Sequence, residues 1–220
     1  MTRGRFITFE GIEGAGKSSL MRTVAAALAA QEGALPTGRA IITTREPGGT
    51  SLAEDIRALV LGRRETGMPP ATELLLMFAA RSAHVAQLIE PALARGDWVL
   101  CDRFTDASRA YQGGGRGVDT HSIEALARMA HPGLTPDLTL LLDLPPEVGL
   151  QRVRVRGDAG DRFEDEALGF FARVRARYLE LARHDPQRIR LLDATQSPDA
   201  LLQQAMALLR ALDSAGRNAP

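Results

Sequence analysis

"RFITFEGIEGAGKSS", residues 5–19, passes from a short apolar run through three glycines to one lysine and two serines. An apolar run of that length stopped by glycine reads as a sheet-core strand, and the periodicity after Lys17 reads as a helix. Between them, Gly11-Ile12-Glu13-Gly14-Ala15-Gly16-Lys17-Ser18 has the spacing G-x-x-x-x-G-K-S, in the strand–loop–helix setting that the pattern requires. The glycines let backbone N–H groups close around phosphate oxygens at the positive end of the helix. Lys17 is the only lysine in 220 residues; of 27 Lys+Arg the other 26 are arginine. A compact ammonium runs beside such a loop to the β- and γ-phosphates, where a planar guanidinium is too wide. Ser18 offers a hydroxyl to a phosphate-bound Mg²⁺, and Ser19 continues the cradle. The motif predicts a loop for a nucleoside triphosphate.

Working outward, "RFITFE" (5–10), "AIITT" (40–44), "DWVLCD" (97–102), "DLTLLLDL" (137–144) and "RIRLLD" (188–193) read as strands. Helical periodicity occupies 17–31, 51–62, 70–94, 104–112, 119–130, 146–156, 163–184 and 198–213. Strands alternating with helices predict an α/β fold, a parallel five-stranded sheet with helices on both faces. Residues 1–213 read as one domain and 214–220 as a flexible tail. "QGGGRG" (112–117) reads as a loop, and "RGDAGD" (156–161) as part of a mobile segment spanning about 152–162.

A hydrophobic fraction of 45% with 25% charged residues supports a sizeable core. A formal net charge of +0 argues against nucleic acid or an anionic membrane as partner. One cysteine, Cys101, fits a reducing compartment, and its place inside a strand predicts a buried, inert thiol. The apolar run after Met1 is too short for a signal peptide and no window spans a membrane, so the expected location is the cytoplasm.

A guanine-specific N-K-x-D reader is excluded, because the one lysine and the one asparagine, Asn218, lie at opposite ends. A small kinase then has to hold a second substrate beside the loop. Asp102-Arg103 ends a buried strand, where a carboxylate reaches Mg²⁺ through water and a guanidinium grips a phosphate. Arginines of "RVRVRGDAGDR" are candidates for the transferring phosphoryl group; Arg154 and Arg156, two apart, cannot share a helical face. The residues themselves leave three readings open: a nucleoside-monophosphate kinase, another small-substrate kinase such as one for a deoxynucleoside, or a nucleotide-binding regulator without transfer activity.

The set "FEGIEGAGKSS", "REPGGT", "LLLMFAAR", "DRFTDASRAYQGGGRG", "PDLTLLLDLPPEVGLQR" and "RGDAGDRFE" resembles the bacterial thymidylate kinases from about residue 5 to 195. The resemblance implies a homodimer of the nucleoside-monophosphate-kinase fold, moving the γ-phosphate of ATP to dTMP with Mg²⁺. It implies that Phe78 stacks on the thymine ring and Arg81 donates to the base O4. Ser108, where the family more often has Thr or Asn, reads the N3 edge, with Gln112 also approaching the base. Tyr111 lies where a 2′-hydroxyl would sit. Glu13 meets the 3′-hydroxyl, Arg103 and Arg45 hold the acceptor phosphate beside Pro47, and Glu46–Pro47 is cis. Ser18 and Asp102 place the metal. The catalytic set is Lys17, Asp102, Arg103 and a lid arginine, Arg156 before Arg162.

Overall fold

A computed structural model describes residues 3–30, 39–156, 163 and 166–217, the side chains of 156 and 214–217 excepted. Arg162, the side chain of Arg156 and most of the expected mobile segment lie outside the described residues, as do 218–220.

Every expected strand forms: β1 (Phe6–Glu10), β2 (Ile41–Arg45), β3 (Trp98–Asp102), β4 (Leu138–Asp143) and β5 (Ile189–Asp193). All pairings are parallel, in the order β2-β3-β1-β4-β5, with Phe6 opposite Val99 and Ile7 opposite Leu138. The near-continuous apolar strands take the three central places, where both faces are buried. Edge strands β2 and β5 keep polar or exposed positions.

Side chains alternate across the sheet. Ile7, Phe9 and Leu100 enter one cluster with α1 (Lys17–Ala30), α8 (Leu168–His184) and α9 (Pro198–Arg217). Phe6, Val99 and Cys101 enter another with the helical tract Pro70–Arg95. The layers are therefore helix, sheet, helix. Connections run from β1 to one side of the sheet and later to the other, which opens a crevice outside the carboxyl ends beside β1.

Two helical tracts differ from expectation. The predicted helix 70–94 is α3 (Pro70–His84), a π-helical turn Val85–Ile89, and α4 (Glu90–Arg95). Pro91 has no N–H to donate and its ring crowds the preceding turn, and there the helix widens, with the Glu90 N–H reaching the Val85 carbonyl. The stretch 112–117, expected as a loop, largely stays helical: α5 (Thr105–Ser108) continues as a π-helical run Arg109–Gly115. Its glycines serve close approach to α8. A Cβ on Gly115 would lie 2.4 Å from the Phe170 ring, and one on Gly114 2.7 Å from Arg177 Cβ.

The other helices are α2 (Ser51–Leu61), α6 (Thr120–Ala130), whose N-cap Asp119 accepts from the Ser122 N–H, and α7 (Pro146–Arg156). Helix α8 begins at Leu168, later than the expected 163, and α9 runs on to Arg217. Among the described residues no helix is long and apolar enough to cross a membrane.

Candidate active site

The glycine loop leaves β1 through backbone that only glycine adopts without strain. Gly11, Gly14 and Gly16 have φ of 136°, 73° and 89°. Gly14 is also pinned sterically, since a Cβ there would stand 2.2 Å from the Gly149 carbonyl oxygen of α7. Lys17 opens α1, is 8% exposed and donates from Nζ to the Ile12 carbonyl at 2.9 Å. Burial, and next the Arg103 charge, lowers its ammonium from 10.5 to about 8. Ser18 donates to Asp102 Oδ2 at 2.6 Å, which joins the loop to the end of β3.

At that end the chain reverses through Arg103, a non-glycine residue with φ of 74°. Its N–H reaches back to the Phe9 carbonyl at 3.0 Å, and the Phe104 N–H donates to Glu10 at 2.7 Å. Glu10, buried in the sheet, also accepts from the Tyr178 hydroxyl at 2.6 Å; burial, with Asp106 adding, raises its carboxyl to about 7. The reversal aims Arg103 at the loop. Its guanidinium donates to Glu13 at 2.8 Å, to the Tyr111 hydroxyl at 2.9 Å and to the Gly11 carbonyl at 3.2 Å. Tyr111 in turn donates to the other Glu13 oxygen at 2.6 Å. Glu13, which also lines the cavity, thus braces Arg103 and Tyr111.

A cavity of about 510 Å³ opens over these residues. Glu13, Gly14, Gly16, Lys17, Ser18 and Ser19 form its loop side; Arg45, Pro47, Asp102, Arg103, Tyr111 and Gln112 line the other. Gly11, Ile12 and Ala15 of the same loop do not line the cavity. The Glu46–Pro47 peptide is cis, as expected. Arg45 is half-exposed and pairs with Glu54 at 3.0 Å. Cys101 is fully buried, and burial pushes its thiol well above the usual range.

Three expected base contacts stand behind the cavity wall. Phe78 is 3% exposed in a cluster with Leu74, Ile123 and Ala127, and does not line the cavity. Its ring lies 13° from parallel to His131 at 6.5 Å, and the Arg81 guanidinium sits 4.6 Å from its centroid. The three-residue spacing does bring Phe78 and Arg81 together, but onto each other. Met77, one residue earlier and about 100° around the helix, lines the cavity instead. Arg81 is 1% exposed and donates to Glu46 at 2.6 Å, to Ser108 at 3.1 Å and to the Phe104 carbonyl at 3.1 Å. Ser108, fully buried, is thereby a partner of Arg81 inside the wall.

Sequence reasoning passed over several residues of this site. Glu46 holds Arg81 and His84 together; Glu73 holds Gln112 and Arg116; Arg57, Leu61 and Phe163 line the cavity. The available signal was charge in apolar surroundings: Glu73 and His84 stand within "TELLLMFAARSAH", and a buried charge needs a partner.

A family model of thymidylate kinase matches residues 9–205. The thymidylate kinase of Alkalilimnicola ehrlichii is 56% identical over 215 residues, covering 98% of this chain and 95% of that one. That of Cupriavidus pinatubonensis is 54% identical over 199 residues, covering 90% and 94%. The crystal structure of thymidylate kinase from Ehrlichia chaffeensis superposes with a TM-score of 0.74 at 29% identity, covering 94% of this chain and 99% of that one. Likeness at this level runs through both walls of the cavity and through the strands that carry them, and the chain belongs to the thymidylate kinase family.

Proposed function

We propose that the chain transfers the γ-phosphoryl group of ATP to dTMP, giving dTDP for dTTP synthesis, with the glycine loop holding the donor and the β3 end holding the acceptor. The carrying observation is that Lys17 and Ser18 share one cavity with Arg45, Arg103, Tyr111 and Gln112, and that Ser18 and Asp102 close the gap between the two sides at 2.6 Å.

The reaction needs no protein nucleophile. An acceptor phosphate oxygen attacks in line, so the residues position and neutralise charge. Lys17 meets the β- and γ-phosphates, and the loop N–H groups wrap the phosphate chain. Arg103, held by Glu13, grips the acceptor phosphate, with Arg45 beside Pro47 at the cavity edge. Tyr111 closes the space beside the sugar. Gln112 reads the base: its Oε1 is buried without a hydrogen-bond partner, and the N3–H of thymine supplies the missing donor. An arginine of the segment 152–162, Arg156 before Arg162, completes the charge on the phosphoryl group.

Ser18 and Asp102 suit Mg²⁺. Both offer hard oxygen, and Mg²⁺ takes one or two such groups while keeping waters and substrate phosphates. Bound there, the ion neutralises β- and γ-phosphate charge. The protein is proposed to act in the cytoplasm as a homodimer, with the exposed Leu52 and Leu59 of α2 and Leu75 of α3 as apolar surface for a second copy. Residues 1–213 are proposed as one kinase domain.

The test is coupled ADP release with Mg²⁺ across dTMP, dUMP, dCMP, AMP and GMP. The rate with dTMP should be clearly highest. Uniformly low release would leave a nucleotide-binding regulator, and a better rate with another acceptor would make the chain a different small-substrate kinase.

A further inference from the structure

We infer that Glu73 is a positioning residue: it fixes which end of the Gln112 amide faces the acceptor base, and so sets the preference for pyrimidines that carry a proton on N3. The inference rests on the base-reading role given to Gln112 above.

Glu73 lies in the first turn of α3 and is fully buried. Gln112 Nε2 donates to its Oε1 at 2.7 Å, and Arg116 Nε approaches its Oε2 at 3.3 Å. An amide side chain has two ends of nearly the same shape but opposite hydrogen-bonding character. A carboxylate offers only lone pairs, so the amide must turn its NH₂ group toward Glu73. That leaves Oε1 on the other side, and this is the atom without a partner. Gln112 is 1% exposed and lines the cavity, so the amide has no solvent in which to settle the choice for itself.

The rest of the cluster holds Glu73 in place. Arg116 bridges from Glu73 to Glu166 at 2.5 Å, and its guanidinium lies 4.7 Å from the Phe170 ring centroid. The π-helical run places Gln112 and Arg116 four residues apart, so both reach the same carboxylate.

The consequence is chemical. Thymine and uracil present an N–H at N3, which pairs with an amide carbonyl. Cytosine presents a lone pair there, which meets that carbonyl in repulsion. If Glu73 did not hold the amide, rotation by about 180° would present NH₂ and accept cytosine.

The experiment measures kcat/KM for dTMP and dCMP in wild type, Glu73→Gln, Gln112→Ala and the swap Glu73→Gln/Gln112→Glu. With Gln at 73 either amide orientation finds a partner, so the dTMP-to-dCMP ratio should fall about tenfold or more, through the acceptor KM and not the ATP KM. The swap returns a carboxylate to the pair, with one of its oxygens facing the base, and should restore most of the ratio. Lost packing alone would slow both acceptors by the same factor, and that result overturns the inference. If Gln112→Ala raises the dTMP KM while Glu73→Gln leaves the ratio intact, the inference falls and the base-reading role stands. If Gln112→Ala leaves the dTMP KM unchanged, both fall. Should Glu73→Gln fail to fold, the swap carries the test against Gln112→Glu alone, which sets two carboxylates face to face. The swap must then keep the dTMP preference that the single variant loses.

Discussion

Lys17 makes ATP binding sensitive to pH in a way that can be worked out beforehand. In the ligand-free protein, burial and the Arg103 charge lower its ammonium from 10.5 to about 8. Triphosphate oxygens against the ammonium favour the charged form and return it toward its ordinary value. With 8 for the free form and 10.5 for the bound form, linkage weakens ATP binding about tenfold between pH 7 and pH 9, or about 1.4 kcal/mol. At pH 9 each ATP bound takes up about 0.9 proton, since most free molecules have lost theirs. Calorimetry with a non-hydrolysable ATP analogue and Mg²⁺, in buffers of different ionisation enthalpy, reads both quantities. Lys17→Arg should bind without pH dependence over the same range, because a guanidinium stays charged, while its turnover falls by orders of magnitude. Flat wild-type affinity from pH 7 to 9 with no proton uptake would refute the reasoning. The stability consequence has the opposite sign. Between about 8 and 10.5 the unfolded chain holds more protons on Lys17 than the native one, so this residue's contribution to stability rises with pH there.

Two further outcomes are expected. Met77→Ala should raise the dTMP KM severalfold with the ATP KM steady, whereas Phe78→Ala should lower stability by about 3–5 kcal/mol and leave the dTMP KM near wild type; the reverse pattern in a combined melting and kinetic series would put the phenyl ring on the base. Burial opposes the charge on Asp106, but hydrogen bonds and charge from Arg188 and Arg109 hold its carboxyl below 3.8. Its stabilising effect is therefore present above pH 3.8 and lost as pH falls through the lower native value, so Asp106→Asn should cost much more melting temperature at pH 7 than near pH 3, and equal losses would remove the ion pairs from the account.

The sheet and the phosphate loop were legible because each rests on local signals. Burial on both faces leaves an apolar run, as in "LTLLL", and a phosphate cradle needs its glycines at fixed spacing. Asp102-Arg103 was legible for a related reason, since it ends a strand beside that loop. What escaped depends on contacts distant along the chain. Glu46 and Arg81 are 35 residues apart, and Glu73 and Gln112 are 39 apart; no periodicity marks such a pair. "QGGGRG" was misread because glycine weakens an isolated helix, while here its missing Cβ lets α8 approach. Met77, and not Phe78, lines the cavity. Aromatic chemistry marked the residue suited to stacking, and only the rotation of α3 decides which neighbour faces the cavity.

The lone lysine acquires its meaning from the arginines around it. Three guanidinium groups near the cavity meet carboxylates: Arg81 meets Glu46, Arg103 meets Glu13, and Arg116 meets Glu73 and Glu166. Such pairs hold their arginines in fixed directions and cancel much of their charge locally. Among the described hydrogen bonds Lys17 instead donates to a carbonyl, which orients the ammonium without neutralising it. Its burial therefore remains only partly compensated in the free protein, and that imbalance is what lowers its proton affinity. An incoming phosphate chain restores the balance. A second buried arginine at position 17 would need either its own carboxylate, which repels ATP, or enough water to fill the loop. An ammonium needs neither, so the cation whose proton affinity burial lowers in the free protein regains it against the nucleotide.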